Sequence, residues 1–247
     1  MPIVFLSPST QDWNPYVTGS GSEEYWMNRI VDAMEPYLRS NGIRYRRNDP
    51  DTSAGAAIRG ANSGYYDFYL ALHSNAIGNG SAQTSARGII AFYYPGSAGG
   101  QRGAELIAKN LREIYPLPDK VTTRPTTALG EVSRSRFPAV LVEIGYHDNY
   151  SDALWLESHV EDVARQLVKA LTEYFGLPFI PPMDPKRGTV RLSYGTLNLR
   201  AAPSSAGTVI ANLPNGAEVT VYGEWNGWYV VQYGDQVGYA AAAYIDV

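Results

Sequence analysis

"AVLVEI", residues 139–144, carries a single charge in an otherwise apolar run, and that charge, Glu143, lies near the end. A short continuous apolar segment reads as a strand buried on both faces. Three more segments read the same way: Ile3–Leu6, Tyr66–Leu72 and "GIIAFYY" at 88–94. Between them the apolar spacing changes to three and four. Met27, Ile30, Val31, Met34 and Leu38 mark one helix, with Pro36 expected to kink or shorten its last turn. Ala104, Ile107, Leu111 and Ile114 mark a second, and Val160, Val163, Leu167, Leu171 and Tyr174 a third. Buried strands alternating with amphipathic helices predict an α/β domain, its mostly parallel sheet covered by helices on both faces.

The pattern breaks near residue 180. "GLPFIPPMDPKRG", 176–188, holds four of the 16 prolines and reads as a semi-rigid linker over 177–187. Beyond it, residues 188–247 show short alternating strands such as "TLNLR", "EVTVYGEW" and "GWYVVQY", punctuated by Gly, Asn and Pro. That predicts a small all-β barrel. The first domain is then 1–176.

Composition narrows the partners. The net charge is −4 and no dense basic run occurs, so nucleic acid is not an expected partner. The chain has no cysteine, so any zinc must be held by His and carboxylates. No apolar run approaches the ~20 residues of a membrane span. The opening "MPIVFLSPS" lacks the basic and long apolar regions of a signal peptide.

In open α/β sheets, sites form at the carboxyl ends of strands. His73 follows "DFYLAL", Glu143 lies near the end of "AVLVEI", and the Ser7–Gln11 loop follows the first strand. Glu24 opens the first helix, and the spacing 24, 27, 28, 31 predicts that it faces the core with Asn28. Ser22 as N-cap with an acidic first turn is the plainer account of Glu23 and Glu24. Glu143 is harder to account for structurally, because an unpaired buried carboxylate has a raised pKa, as a general base requires.

"SEEYWMNRIVDAM", "YLALHSNA", "RGIIAFYY" and "FPAVLVEIGYHDN" occur in this order. Together they resemble the zinc-dependent N-acetylmuramoyl-L-alanine amidases of the type-3 amidase family, over roughly residues 3–176. The tail, from "GTLNLRAAPS" to "VGYAAAAYI", resembles a bacterial SH3 domain. The resemblance implies a peptidoglycan hydrolase that cleaves the amide between muramic acid and L-alanine, with Zn2+ held by His, Glu and His. Carried over, Glu24 and His73 are zinc ligands and Glu143 is the catalytic base. Action outside the cell or in the cell wall, by a monomer, is the corresponding expectation.

The opening loop departs from the family. Its first histidine falls among Pro8, Ser9 and Thr10, none a good neutral zinc ligand. His147, four residues past Glu143, offers imidazole if Gly145 bends the chain. Gln11 offers an amide oxygen from the same loop, a poorer donor for zinc. In a third arrangement neither binds and water fills the position. Two other functions stay open on the same residues. One is a non-catalytic wall-binding protein with a degenerate metal site. The other is a zinc peptidase acting on another bond. Trp13, Tyr16, Tyr65, Tyr93 and Tyr94 are candidate sugar-stacking groups, and Arg124, Arg134 and Arg136 candidate partners for peptide carboxylates.

Overall fold

The computed structural model describes residues 1–77 and 83–247. It divides into two compact units. One is Ile3–Met34 with Tyr45–Tyr174, and the other Met1–Pro2, Glu35–Arg44 and Phe175–Val247.

The first contains the α/β sheet. Its strands are β1 (Ile3–Pro8), β2 (Arg44–Arg47), β3 (Phe68–Asn75), β4 (Ile89–Tyr93), β5 (Val121–Pro125) and β6 (Ala139–Tyr146), in the spatial order β2-β1-β3-β6-β4-β5. β1 with β3, β3 with β6, and β4 with β5 are parallel, whereas β4 runs antiparallel to β6. The helices are α1 (Glu23–Ser40), α2 (Ala54–Ser63), α3 (Ala98–Arg112), α4 (Gly130–Ser133), α5 (Tyr150–Ser158) and α6 (Val160–Phe175). α1 runs through Pro36 to Ser40, where the proline was expected to disturb its last turn.

Side chains alternate between the faces of a strand, and here the alternation decides where the chemistry lies. Phe68 and Val140 lie against Gly103 of α3, where a Cβ would come within 2.6 Å of the Phe68 ring. On the other face Phe5, Tyr69, Ala71, Ala139 and Leu141 pack with Ala57 and Ala61 of α2 and Val132 of α4. Ser7, His73 and Glu143 continue the parity of this second set. They therefore point to the α2/α4 face, where the strands end.

The second unit contains β7 (Lys186–Val190), β8 (Thr196–Arg200), β9 (Val209–Pro214), β10 (Glu218–Trp225), β11 (Trp228–Tyr233), β12 (Gln236–Ala241) and β13 (Ile245–Asp246). They form one antiparallel sheet around Leu197, Leu199, Leu213, Val219, Val221 and Val231. Asn226 and Gly227 join β10 to β11 with φ of 46° and 79°, the left-handed pair that a two-residue hairpin demands. The proline-rich stretch is anchored as well as stiff. Ile180 is buried, its N–H donates to Asn41 Oδ1 at 2.6 Å, and its carbonyl accepts from Asn41 Nδ2 and Ser40 Oγ.

Candidate active site

Parallel pairing of β3 with β6 sets His73 beside Glu143 in register. The His73 ring is buried between two carboxylates. Nδ1 lies 2.8 Å from Glu23 Oε1, and Nε2 lies 2.8 Å from Glu131 Oε2. Burial disfavours a charged ring, but the bonds to Glu131 and Glu23 outweigh it and hold His73 well above the ordinary histidine value. Burial likewise pushes Glu23 and Glu131 up, and the bonds from His73 bring both below the usual carboxylate range.

Gln11 completes the Nδ1 side. Its Nε2 is 3.4 Å from Glu23 Oε1 and 3.5 Å from His73 Nδ1. Asn14 Nδ2 donates to the other Glu23 oxygen at 2.8 Å. Glu143 has no such partners. The residue keeps some exposed area, yet its Oε2 is sealed from solvent without a hydrogen bond. Burial raises its carboxyl, His73 offsets part of that, and Glu23 and Glu131 raise it further, to about 7. Gln11, His73, Glu131, Glu143 and Arg134 line one cavity of about 350 Å³.

The sequence placed two residues here that lie elsewhere. Glu24 is not on the core face. It accepts from Asn28 Nδ2 at 2.8 Å and lines a different cavity with Asp12, Trp13 and Asp51. Its neighbour Glu23 is the buried carboxylate, at 1% exposure. The cause is helical phase. At ~100° per residue, Glu23 lies about 35° from the centre of the Met27, Ile30, Val31, Met34 and Leu38 stripe, and Glu24 about 65°. Ser22 does cap the helix, its Oγ accepting from the Tyr25 N–H at 3.2 Å.

His147 also departs from expectation. Gly145, at φ 74°, bends the chain after Glu143. The bend turns the imidazole away from the cavity: Nδ1 meets the Ser74 carbonyl at 2.9 Å, and the ring stacks on Tyr16 at 5.7 Å. His159 is tied to the Trp155 carbonyl at 2.7 Å.

Among the described residues, no group of three or more His, Cys, Asp or Glu side chains could hold a metal ion. The donors that do converge are Glu23 and His73 Nδ1, with the Gln11 amide beside both. Turning that amide over, at the cost of the bond its oxygen accepts from Asn14 Nδ2 at 3.2 Å, would present its oxygen to the same point, giving nitrogen, carboxylate and carbonyl donors around it. With the orphaned Glu143 oxygen nearby, this set fits a metal ion with a weak third ligand.

The profile of the N-acetylmuramoyl-L-alanine amidase family matches residues 10–173, and that of the bacterial SH3 domain residues 195–246. The chain belongs to the N-acetylmuramoyl-L-alanine amidase family, with a bacterial SH3 domain at its C-terminal end. Among curated proteins it is 28% identical over 170 residues to the amidase LytC of Bacillus subtilis (strain 168), covering 67% of this chain and 34% of LytC. It thus spans about a third of the length of that relative. Among solved structures, AmiC2 of Nostoc punctiforme superposes with a TM-score of 0.62 at 16% identity, covering 71% of this chain and 97% of that one. The catalytic domain of CwlV from Bacillus (Paenibacillus) polymyxa var. colistinus gives 0.61 at 17% identity, covering 72% and 100%. At such identities these structures speak for the fold.

Proposed function

We propose that the chain hydrolyses the amide between N-acetylmuramic acid and L-alanine in peptidoglycan, with zinc held by Glu23, His73 and Gln11. The observation that carries this reading is the sealed, partnerless Glu143 Oε2 beside His73, a carboxylate poised to take a proton. A bound zinc ion would polarise the scissile carbonyl and acidify a water molecule. Glu143 takes the proton of the attacking water as the new C–O bond forms. It then gives that proton to the alanine nitrogen as the C–N bond breaks. Arg134, at the cavity wall, is the candidate partner for a stem-peptide carboxylate. The corresponding site of action is the cell wall; among the described residues no helix is long and apolar enough to cross a membrane.

The deciding experiment is product analysis on purified walls. New L-alanine amino termini without new reducing sugar ends, abolished by chelation, are the expected result. Scission elsewhere in the stem peptide would mean a peptidase. A wall-binding protein without turnover is the second reading, and the weakness of the third donor favours it. Absence of both zinc and products would establish it.

Ligand exchange tests the metal set. Zinc affinity, measured by chelator competition, should rise in Gln11→His, because imidazole replaces an amide. It should stay near wild type in His147→Ala. If His147→Ala loses zinc, the Gln11 assignment is wrong.

The SH3 domain offers a groove of about 570 Å³ lined in part by Arg191, Tyr194, Arg200, Trp228 and Tyr244. Tyr194 is 90% exposed there. We propose that this groove binds wall peptide and raises the effective concentration of the catalytic domain. Substitution is a cleaner test than truncation, because Tyr239 of the barrel is buried and donates to the Asn41 carbonyl. Tyr194→Ala with Tyr244→Ala should weaken sedimentation with walls and slow wall hydrolysis, leaving turnover of a soluble muropeptide intact. Equal loss on both substrates would refute a targeting role.

A further inference from the structure

Glu131 is the buried charge of the cavity that neither the proton transfer nor the metal set uses. It sits on the four-residue helix α4, at 4% exposure, and both of its oxygens are engaged. Oε1 accepts from Ser7 Oγ at 2.6 Å and from Tyr69 Oη at 2.8 Å. Oε2 meets His73 Nε2 at 2.8 Å. Ser7 and Tyr69 come from β1 and β3, so three elements of the α2/α4 face converge on one carboxylate.

Two hydroxyls on one oxygen of a buried carboxylate fix the orientation of the group and so the place of its second oxygen. Here that place faces the far nitrogen of His73. In the metal-free chain both ring nitrogens face carboxylates and each carries a proton; a metal at Nδ1 would displace the proton facing Glu23 and leave the one on Nε2, held by Glu131. A free imidazole has no reason to keep its proton on Nε2, and a ring without partners could also rotate about χ2. Glu131 removes both freedoms. Carboxylates that orient metal-bound histidines from behind act in this way, and their loss costs ~10–100-fold in metal affinity.

The geometry points to Glu131 as a positioning residue that fixes the ring orientation of His73 and holds its Nε2 proton, with Ser7 and Tyr69 aiming its carboxylate. This rests on the proposed metal site for its function, and on the hydrogen bonds alone for its structure. The two parts are separable. Nitrogen-15 labelling of histidine in the full chain gives a spectrum of three rings only. The wild-type protein should show a downfield, slowly exchanging His73 Nε2–H signal, assigned by its disappearance in His73→Gln.

In Glu131→Ala that signal should be lost, and zinc added alone should bind ~10–100-fold more weakly by chelator competition. Glu131→Gln should keep the signal and most of the affinity. Its amide oxygen can accept from Nε2 while the Ser7 and Tyr69 hydroxyls rotate to accept from its NH₂. If Glu131→Ala does not fold, Ser7→Ala with Tyr69→Phe takes its place. That pair keeps the charge but releases its aim, and should weaken both signal and affinity. An unchanged His73 signal and unchanged zinc affinity in Glu131→Ala, or in the Ser7→Ala, Tyr69→Phe pair where Glu131→Ala does not fold, would overturn the proposal. If the wild type takes up no zinc, the metal reading fails, and the ring signal still decides whether Glu131 fixes His73.

Discussion

Glu143→Gln is expected to lower wall hydrolysis by ~10²–10⁴-fold, the usual contribution of a general base, while making the folded protein more stable. The two effects have one cause. Burial, with Glu23 and Glu131 nearby, lifts the Glu143 carboxyl to about 7, against an ordinary value of 4.5. A raised carboxyl binds its proton more tightly when folded than when unfolded. Ionising it therefore costs stability, and that cost grows as pH rises from about 4.5 to about 7. Above this window it approaches ~3 kcal/mol as an upper estimate. Glutamine carries no charge and escapes the cost. Urea unfolding of the metal-free proteins should show Glu143→Gln more stable than wild type at pH 8, with the gap closing toward pH 4. Equal gaps at both pH values would mean that the carboxylate is not strained by burial. Near-normal turnover would place the base elsewhere.

Glu143 was legible because its neighbours are all apolar. A charge in "AVLVEI" must be explained, and strand parity with His73 follows once the two strands are paired. The alternation of strands and helices was legible for the same reason, since burial on both faces leaves a continuous apolar run. The antiparallel direction of β4 was not, because period and burial do not record direction. Glu131 left no trace in "ALGEVS". It is one acidic residue on a single helical turn, and only the tertiary approach of Ser7, Tyr69 and His73 gives it meaning. For His147 the sequence offered good ligand chemistry and a permissive glycine. The backbone used that glycine to turn the ring toward Ser74 and Tyr16. Ligand quality could rank the candidates, but the direction of a bend is set by packing.

The neighbouring residues Glu23 and Glu24 give the sharpest test of the metal site. Glu23→Ala should lose zinc, by more than the ~10–100-fold attributable to an outer carboxylate, because it removes one of only two strong donors. It should also lose activity. The substitution removes an acceptor from Asn14 Nδ2 and from the buried His73 Nδ1, so some stability goes with it. Metal content must therefore be read on protein shown to be folded. Glu24→Ala is the matched control. It deletes the same carboxylate one position along the helix, where the partner is Asn28 on the same surface. Zinc and turnover should be unchanged, and stability should move by only ~0.2–0.5 kcal/mol, as for other pairs at that spacing. The comparison isolates helical phase from composition, since both variants remove one negative charge from the first turn of α1. Loss of zinc in Glu24→Ala with retention in Glu23→Ala would invert the assignment. It would mean that the helix turns by about one residue when the metal binds.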